Sequence, residues 1–541
     1  MAGGMQRWDG VSIHDLNDDG KPEVLSSGEV FDGKTGIKLN TGQIILKTGT
    51  GVISVVTDID QDGVAELIAD KVYSWNPASN PPKWEEKSVG ASSIVGTSLR
   101  HFAVADFGTP GAEAKDFDAK TLDGIPEIAV VGGGEVSLST LDGQIIFTAS
   151  VGGGQGGPPT IGDFDNDGFP EIAEAAADFY RVFDLDCPTG GEMGCAGLPY
   201  VRWSQASQDG SSNRTGSSIF DFEGDGKAEA VYADECFTRI YDGNTGQVLY
   251  SSYRTSCTWY ENPVVADVDR DDNSEIVVGS NENCDVTCPL IDPIHPGQRC
   301  SEDAECGSGN CEDSLCRCTD DAQCANDDVC VSPIDGSDSL GNVCRATHPA
   351  NVKQTGVRVL KDSLDRWASS RPMWNQHAYS ITNINDDGTV PKTSEWSQNY
   401  DTAGLNNYRQ NAQGDAGSTD FPDITGRLGA SDICKKDGGT VQLEATVCNR
   451  GTKGVGADMP ATFYRGLPAD GDILCVSYTD GAVPVGGCRT VTCLIAEDVS
   501  NETITMVVND DGEGNRTTLE CNDLNNTDSV TVGVCKDAII R

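Results

Sequence analysis

Histidine, basic residues and long apolar runs are all scarce in this chain of 541 residues. Five histidines and no paired Cys-x-x-Cys knuckles argue against a zinc domain, which builds its site from such pairs. Lys and Arg total 38 against 85 Asp plus Glu, and the formal charge of −47 would repel a phosphate backbone. Nucleic acid is therefore excluded as a partner. The longest apolar stretches, such as Glu127–Gly132, fall far short of the roughly 18 residues of a membrane helix, so we expect no transmembrane segment.

Catalytic signatures are also missing from the sequence. It contains no G-x-S-x-G nucleophile elbow, no H-E-x-x-H helix and no G-x-x-x-x-G-K-[ST] phosphate loop. A lone histidine is more often a packing or hydrogen-bonding residue than a catalyst, and this applies to His14, His101 and His377. We therefore predict no catalytic residue, no cofactor-binding residue and no enzymatic activity.

Cysteine, in contrast, is abundant. Ten of the 21 cysteines fall between Cys284 and Cys344, a density that indicates a disulfide framework formed in an oxidising compartment. We expect a secreted, extracellular or cell-surface protein. Residues 1–10 lack the apolar core of a signal peptide, so the signal for export is expected to have been removed or to precede the given sequence.

An acidic nine-residue motif repeats through the first half of the chain. Its frame is D-x-[DNE]-x-D-[GD]-x-x-E, and a further copy begins at Asp106 and closes at Asp123–Glu127 after an insertion. The first residues of successive copies are 43, 48, 57, 58 and 46 positions apart, which is the range expected for one four-stranded blade per repeat. The uninterrupted copies are Asp15–Glu23, Asp58–Glu66, Asp163–Glu171, Asp221–Glu229 and Asp267–Glu275.

The residues around each copy predict strands. Short β-prone runs precede and follow the motif, and Asp-Gly turns recur 9 to 15 residues after its Glu, for example at Leu141–Gly143 and Tyr241–Gly246. Each unit is therefore predicted as strand, acidic loop, strand, hairpin, strand. Radial closure is the usual way in which such an all-β array protects its edges.

The motif itself predicts a site for a hard cation. Carboxylates at positions 1, 3 and 5, a carbonyl at position 7 and a Glu at position 9 bring oxygen ligands around one point. Calcium tolerates the irregular geometry of a short loop better than magnesium does. The apolar residues at position 2 are expected to anchor the loops to the core, and these are Leu16, Ile59, Phe164, Phe222 and Val268. The alternative is a set of solvated acidic turns, and a calcium sensor is the alternative to a structural calcium site.

These loops resemble FG-GAP/VCBS repeats, the family found in the β-propellers of integrin α subunits and of secreted bacterial proteins. The resemblance implies a seven-bladed β-propeller with about five or six calcium ions, one in the loop between the first two strands of a blade. Asp272 replaces the family's glycine in the last copy, and only Asp106, Asp123 and Glu127 transfer in the interrupted copy. The other implied ligands are Asp15, Asn17, Asp19, Glu23, Asp58, Asp60, Asp62, Glu66, Asp163, Asp165, Asp167, Glu171, Asp221, Glu223, Asp225, Glu229, Asp267, Asp269, Asp271 and Glu275.

Four domains follow from this interpretation. Residues 1–283 are predicted as blades 1–6, 284–345 as a disulfide-rich insertion, 346–420 as the closing blade and a linker, and 421–541 as an immunoglobulin-like sandwich. The segment Arg371–Pro391 is similar to one that closes bacterial propellers, and residues 406–420 are expected to form a polar linker.

The insertion contains two similar cysteine modules, Cys300–Cys316 and Cys318–Cys344, with a weak resemblance to EGF domains, and it leaves Cys284 to pair with Cys288. A protective knob and a protein-recognition module are equally compatible with it.

The C-terminal part shows alternating strands typical of a sandwich. Its end resembles CARDB-type adhesion modules. The acidic residues there form either a further cation site or a solvated turn, and they are Asp510, Asp511, Glu520 and Asp523.

The predicted function is therefore that of a secreted or cell-surface calcium-binding β-propeller protein, with structural calcium. It would mediate adhesion, ligand recognition or extracellular assembly, its partner being a protein or a glycan at the cell surface or a second copy of the chain. The alternative is a carbohydrate-binding or polysaccharide-degrading, lyase-like protein, because some polysaccharide lyases contain such propellers.

Overall fold

The fold was analysed on a computed structural model of the chain. It describes residues 10–41, 53–69, 71–87, 100–257, 261–269, 273–282, 286–301, 303–325, 328–334, 336–350, 352–362, 367–385, 388–412, 422–428, 435–437, 440–451, 454–468, 472–512, 516–518, 525–532 and 536–537.

The first part of the chain folds into consecutive antiparallel sheets, here called units 1 to 6. In each unit the acidic loop joins the first strand to the second, as predicted, and neighbouring strands follow one another in sequence order. Unit 1 contains β1 Ser12–His14, β2 Glu23–Ser26 and β3 Glu29–Asp32; unit 2 contains β4 Val55–Thr57, β5 Glu66–Ile68, β6 Val72–Asn76 and β7 Lys83–Lys87; unit 3 contains β8 His101–Ala105, β9 Glu127–Gly132, β10 Glu135–Ser139 and β11 Ile145–Ser150; unit 4 contains β12 Thr160–Gly162, β13 Glu171–Ala175, β14 Phe179–Phe183 and β15 Val201–Ala206; unit 5 contains β16 Ser218–Phe220, β17 Glu229–Ala233, β18 Phe237–Asp242 and β19 Val248–Tyr253; unit 6 begins with β20 Val264–Ala266 and β21 Glu275–Ser280.

Apolar cores lie between successive units. One joins Leu25 of unit 1 to Trp75 and Trp84 of unit 2, and another joins Phe220 of unit 5 to Ile276 of unit 6. The first strands also meet, because β1 lies against β4, β8 against β12, β12 against β16 and β16 against β20. The sheets therefore stack face to face in chain order with their first strands on one side. The all-β prediction is confirmed by this architecture, and a closed ring of seven blades stays a prediction.

The disulfide-rich insertion follows β21. Its strands are β22 Cys311–Glu312, β23 Leu315–Cys318, β24 Val329–Val331 and β25 Asn342–Arg345, with 3-10 turns at Asp303–Glu305, Asp321–Gln323 and Asp338–Leu340. Each predicted module closes on itself, through Cys300–Cys311 and Cys306–Cys316 in the first and Cys318–Cys330 and Cys324–Cys344 in the second.

One cysteine prediction is wrong. Cys288 bonds to Cys236 of unit 5 and not to Cys284, which lies outside the described residues. This bridge, together with the buried ion pair from Arg239 to Asp292, fixes the start of the insertion to unit 5. Sequence spacing favoured the local pair, but the fold brings Cys236, 52 residues away, within bonding distance.

After the insertion the chain returns to unit 6 and then runs along the first strands of all six units. β26 Gly356–Leu360 pairs with β21, and 3-10 turns follow at Ile381–Asn383, Thr393–Glu395 and Asn399–Asp401. A further 3-10 turn, at Ala114–Asp116, lies in the insertion of the interrupted loop in unit 3. We call residues 392–411 the strap, because side chains or main-chain atoms of this segment contact the units in chain order. The contacts are Thr393 with Asp15, Tyr400 with Asp58, Asn406 with Asp106, Tyr408 with Ile161, Arg409 with Ser217 and Asn411 with Val265.

The strap corrects the predicted linker. Residues 406–411 include the buried Tyr408, Arg409 and Asn411 and pack on units 3 to 6. Their polar composition resembles that of a linker, but the polar groups bond to strand ends that would otherwise leave backbone atoms unpaired. Residues 413–420 lie outside the described part of the chain.

The C-terminal part forms two sheets that share one core. Leu443 and Val447 of one sheet pack with Phe463 and Met506 of the other, and the disulfides Cys448–Cys488 and Cys475–Cys493 lie nearby in the same sheets. The strands are β27 Ile424–Leu428, β28 Lys435–Asp437, β29 Thr440–Asn449, β30 Pro460–Arg465, β31 Asp472–Tyr478, β32 Cys488–Ile495, β33 Thr503–Val508, β34 Thr527–Thr531 and β35 Lys536–Asp537. Among the described residues, no helix is long and apolar enough to cross a membrane.

Candidate metal centres

The acidic loops share one backbone geometry, which starts at position 1. The Asp at this position is buried in the Asp15, Asp58 and Asp221 loops and half-buried in the Asp163 loop. In these four loops its two carboxylate oxygens accept the main-chain N–H groups of positions 5 and 6. In the Asp15 loop these bonds measure 3.1 and 2.8 Å, and in the Asp58 loop both measure 2.9 Å. The Asp163 and Asp221 loops repeat the pattern. Position 1 therefore shapes the loop before any ion is considered.

Positions 5 and 9 complete the loop. The position-5 Asp accepts the N–H of position 7, as Asp19 does from Lys21 at 2.9 Å. The position-9 Glu begins the second strand, and its Oε2 accepts the N–H of position 2, as Glu171 does from Phe164 at 2.7 Å. The same bond occurs in all six loops, and the remaining Glu residues are Glu23, Glu66, Glu127, Glu229 and Glu275. This bond uses only the Oε2 atom of each Glu, and Oε1 takes no part in it.

A tight turn makes this arrangement possible. Position 4 is in the left-handed region, with φ of 59° at Asp18, 56° at Gln61 and 62° at Asn166. Position 6 is also left-handed, for example at Gly20 with φ of 77°, where glycine avoids the cost of a Cβ atom. Arg270, Asp271 and Asp272 of the last loop lie outside the described residues, so the effect of Asp272 on that loop stays a prediction.

The position-2 residues anchor the loops with one exception. Leu16, Ile59, Phe164 and Phe222 are at most 5% exposed, as predicted. Val268 is 48% exposed, so the prediction is wrong for the Asp267 loop. The Val268 side chain is therefore not covered by the core as the other position-2 side chains are.

The interrupted loop recovers the same geometry. Asp106 accepts the N–H of Gly124 at 2.7 Å, and Asp123 accepts that of Ile125 at 2.9 Å, so Asp123 stands at position 5. An antiparallel β-bridge between Thr109 and Asp118 closes the base of the segment that interrupts this loop. Glu127 completes the loop, and its Oε1 is buried without a hydrogen-bond partner among the described residues. A buried carboxylate oxygen in this state is compatible with a cation ligand.

Burial and mutual repulsion disfavour the ionised carboxylates of these loops. Desolvation raises the pKa of Glu127 to about 9, and the charges of Asp106 and Asp123 add to the effect. Desolvation raises the pKa of Glu23 to about 7, again with neighbouring Asp charges acting in the same direction. In the Asp221 loop the pKa of Glu229 is raised by burial and by the adjacent Glu223 carboxyl. A divalent cation would remove this penalty by supplying the missing positive charge.

The predicted ligands are brought together in part. One potential ligand atom from each member lies within 4.8 Å of the others in the groups Asp58, Asp60, Asp62 and Glu66; Asp163, Asp165 and Glu171; and Asp221, Glu223 and Glu229. In the Asp15 loop the Asn17 amide donates to Glu23 at 3.2 Å. Asp267 and Glu275 are buried at the two ends of the last loop, and Asp269 lies 3.3 Å from the Lys361 ammonium.

Several basic side chains that the sequence analysis did not consider reach these loops. Lys87, from the last strand of unit 2, contacts three carboxylates of the Asp58 loop. Arg202 contacts Asp165 and Asp184, and Lys120 contacts Asp167 at 2.9 Å. Their distance from the motif in sequence gives no signal, since each comes from a different strand or loop.

The donor set fits a hard cation. Carboxylate and carbonyl oxygens in a flexible loop are the ligands that calcium prefers, and the shared geometry leaves carboxylate oxygens at the loop centre. In the C-terminal part Asp510 instead accepts the Tyr464 hydroxyl at 2.7 Å, while Glu520 and Asp523 lie outside the described residues.

Comparison with known proteins adds little to this geometry. No protein-family model matches the sequence, and no curated protein matches it. Among solved structures, the chain is similar to the biofilm matrix protein Bap1 of V. cholerae, at 14% identity and a TM-score of 0.48 over 76% of this chain and 77% of that one. A CARDB domain of the PF1109 protein from Pyrococcus furiosus, solved with di-metal ions, matches 21% of this chain and 89% of its own length at 21% identity and a TM-score of 0.17. The WD40 domain of SCAP from fission yeast matches 90% and 92% at 10% identity and a TM-score of 0.26. These low values establish neither a family nor a function.

Proposed function

We propose that the chain is a secreted or cell-surface protein whose acidic loops bind calcium as a structural ion. The observation that carries the proposal is the common loop geometry, in which three or four residues of one loop bring carboxylate oxygens within 4.8 Å of one another. In the interrupted loop Glu127 also keeps a buried oxygen that has no hydrogen-bond partner among the described residues. Such a loop is costly without a cation, because each pair of close carboxylates repels. Calcium binding and folding are therefore coupled.

We further propose that the six units and the strap form a closed propeller of the FG-GAP/VCBS type. The strap contacts the units in chain order, and Gln376 bonds to Ile13 of unit 1 while the neighbouring His377 contacts Asn262, which precedes β20 of unit 6. These contacts support a ring in which the described part of residues 371–391 fills the place between units 6 and 1. Calcium in the loops would hold each first strand at the correct distance from the second.

The proposed role is adhesion, ligand recognition or extracellular assembly. The disulfides support an oxidising environment, and four bridges staple the described part of the insertion, which has almost no apolar core. A series of stacked sheets that carries such an insertion and a β-sandwich with its own core is suited to displaying binding surfaces. The partner would be a protein or glycan at a cell surface, or a second copy of the chain.

Calcium titration of metal-stripped protein tests the ion. We expect several equivalents of calcium to bind by calorimetry, weak competition by magnesium, and a large increase in melting temperature. Adhesion is tested by binding of labelled protein to cells and to a glycan array, with and without calcium. No calcium uptake would contradict the metal proposal, and no calcium-dependent binding to any surface would contradict the adhesion role.

A second candidate function is carbohydrate binding. A polar cleft of about 480 Å³ lies between the Asp58 loop and the strap, and Trp396, Gln398, Asp401 and Thr402 are among its lining residues. An aromatic ring with a small number of polar groups around it is the kind of lining from which a small-molecule site is built. Asp401→Ala should abolish any glycan-array signal that depends on this cleft, and turnover of uronate polymers would favour the lyase-like alternative.

A further inference from the structure

The Asp58 loop differs from the other acidic loops because a lysine reaches its centre. The Lys87 Nζ lies 2.7 Å from Asp60 Oδ1, 3.1 Å from Asp62 Oδ2 and 2.9 Å from Glu66 Oε1. These are three of the four ligands implied for calcium in this loop. The lysine side chain is 21% exposed, so most of it is covered by the protein.

The Lys87 ammonium group uses all of its hydrogen-bond donors on the carboxylates of this loop. A lysine ammonium has three N–H donors, and here each one faces a different carboxylate. The fourth implied ligand, Asp58, uses its two oxygens for the N–H groups of Asp62 and Gly63. Glu66 Oε2 accepts the N–H of Ile59, and Ser74 donates to Glu66 Oε1 at 2.6 Å. The loop therefore satisfies its central oxygens with groups of the chain itself.

Other loops lack this arrangement among the described ion pairs. In the Asp15 loop Lys21 reaches only Asp19, at 3.4 Å, and in the Asp221 loop Lys227 reaches only Asp225, at 2.9 Å. Both lysines are more than half exposed and stand at the outer side of their loops. In the Asp163 loop two cations approach separate carboxylates, Arg202 at Asp165 and Lys120 at Asp167. No described ion pair joins either cation to Asp163 or Glu171, so neither one bridges the loop as Lys87 does.

We propose that Lys87 is a built-in cation that replaces calcium in the Asp58 loop, so this loop holds unit 2 together without metal. The inference rests on the proposed function, since it assigns which of the acidic loops bind calcium. It predicts that the sequence motif overcounts the calcium ions by one.

The test compares calcium stoichiometry in Lys87→Met and wild-type protein, both purified in calcium, stripped of metal and titrated by calorimetry. Lys87→Met removes the ammonium but keeps an unbranched chain of similar length. We expect it to bind one more equivalent of calcium than wild type and to melt at a lower temperature than wild type only when metal is absent. Lys83→Met is the matched control on the same strand, since Lys83 is half exposed and pairs with Glu85, and it should behave as wild type.

The outcomes separate this inference from the proposed function. A wild-type protein that binds no calcium contradicts the proposed function, and the inference falls with it. Calcium binding by wild type with no extra equivalent in Lys87→Met overturns the inference alone.

If Lys87→Met does not fold, two conservative variants test the same inference. Asp62→Asn should keep the wild-type stoichiometry, whereas Asp225→Asn, at the same position of the Asp221 loop and with the same side-chain exposure of 46%, should weaken one site. Loss of one calcium in Asp62→Asn would overturn the inference.

Discussion

At the scale of single residues, the carboxylates of an acidic loop have two different roles, which are to shape the turn and to face the ion. Position 1 mainly accepts main-chain N–H groups, as Asp15 and Asp58 do, and so it sets the shape of the turn. Position 9 divides its carboxylate between the backbone and the loop centre, as Glu127 does. Substitutions at the two positions should therefore fail in different ways, the first by loss of the turn and the second by loss of the ion.

The interrupted loop provides the first prediction. Asp123 stands at position 5 of this loop, whereas Asp116 lies in the inserted segment and is exposed. Asp123→Asn should lose or greatly weaken one calcium site and destabilise unit 3 by about 1–3 kcal/mol in calcium. Asp116→Asn is the control and should change neither calorimetric stoichiometry nor stability. Equal behaviour of the two variants would mean that the insertion has abolished the site.

The second prediction concerns pH in metal-free protein. Burial raises the pKa of Glu127 to about 9, so the folded state holds a proton that the unfolded state releases near pH 4.5. Stability from this group is present below the unfolded pKa and is lost as pH rises toward 9, by about 1.4 kcal/mol per pH unit. The buried His14 and His101 have lowered pKa values and act in the opposite direction, but only below about pH 6.5.

Urea denaturation between about pH 7 and pH 9 isolates the effect of the glutamates. The metal-free protein should become less stable across this range, and Glu127→Gln should reduce the slope. Saturating calcium should also reduce it, because the ion favours the ionised carboxylate. Stability that rises across this range in metal-free protein would contradict the assignment.

Residue patterns in the sequence placed the acidic loops between the first and second strands because the contacts that shape these loops are local, whereas the calcium ligands stay a prediction. Positions 1, 5, 6 and 9 bond within nine residues, and Asp-Gly turns such as Leu141–Gly143 join adjacent strands as expected. Lys87 escaped prediction because it reaches its loop only after two further strands have formed, 21 residues beyond Glu66. No spacing rule within the motif contains that information.

At the scale of elements, the strap is the feature that the sequence patterns did not predict. Its contacts span 300 residues or more for the first units, and its composition is rich in Asn, Gln and Thr. Such a segment resembles a solvated linker unless its polar groups have partners. Here Gln398, Asn399 and Asn411 are buried, and their side chains bond to other backbone or side-chain groups.

The third prediction tests the strap through Asn406. Its side chain donates to the Asp106 carbonyl at 2.6 Å and accepts the Asp106 N–H at 2.9 Å, so it holds position 1 of the interrupted loop from outside. Asn406→Ala should destabilise the protein by about 1–3 kcal/mol, since two backbone groups lose their partner. It should also lower calcium affinity at one site.

Asn310→Ala serves as the control because Asn310 is exposed in the insertion. Denaturant unfolding and calorimetry measure the two effects. An Asn406→Ala variant as stable as the control would show that the strap contact contributes nothing to the loop.

The fourth prediction concerns the insertion. Its described apolar cluster consists of cysteines alone, Cys300, Cys306 and Cys316 with Cys311 against them, so the disulfides replace a core. Replacing Cys318 and Cys330 together by Ser should cost about 2–4 kcal/mol locally and open residues 318–344 to proteolysis. Calcium stoichiometry should not change, because no acidic loop of the motif lies there. Limited proteolysis with mass spectrometry locates the cuts, and cleavage inside units 1 to 5 would contradict the separation.

At the scale of the whole molecule, charge makes calcium important well beyond its ligands. The formal charge of −47 belongs to a chain with 38 basic residues, and several of these form ion pairs with the carboxylates of the loops. Each calcium ion adds two positive charges at a point where carboxylates converge. At physiological ionic strength, where charges are screened beyond about 8 Å, this benefit stays within the units that contain the loops.

The last prediction follows because the stabilising effect of calcium is confined to the units that contain the acidic loops. The C-terminal sandwich has its own core of residues between Ile424 and Val532, bridged by Cys448–Cys488 and Cys475–Cys493, and it contains none of the acidic loops. Scanning calorimetry of the full chain should therefore resolve a calcium-sensitive transition of the units and a calcium-insensitive transition of the sandwich. Excess EGTA should lower the first strongly and leave the second in place, because bound calcium stabilises only the part whose folded state binds it. A single transition that shifts as a whole would show that the sandwich and the units unfold together. An unchanged first transition would show that calcium does not stabilise the units.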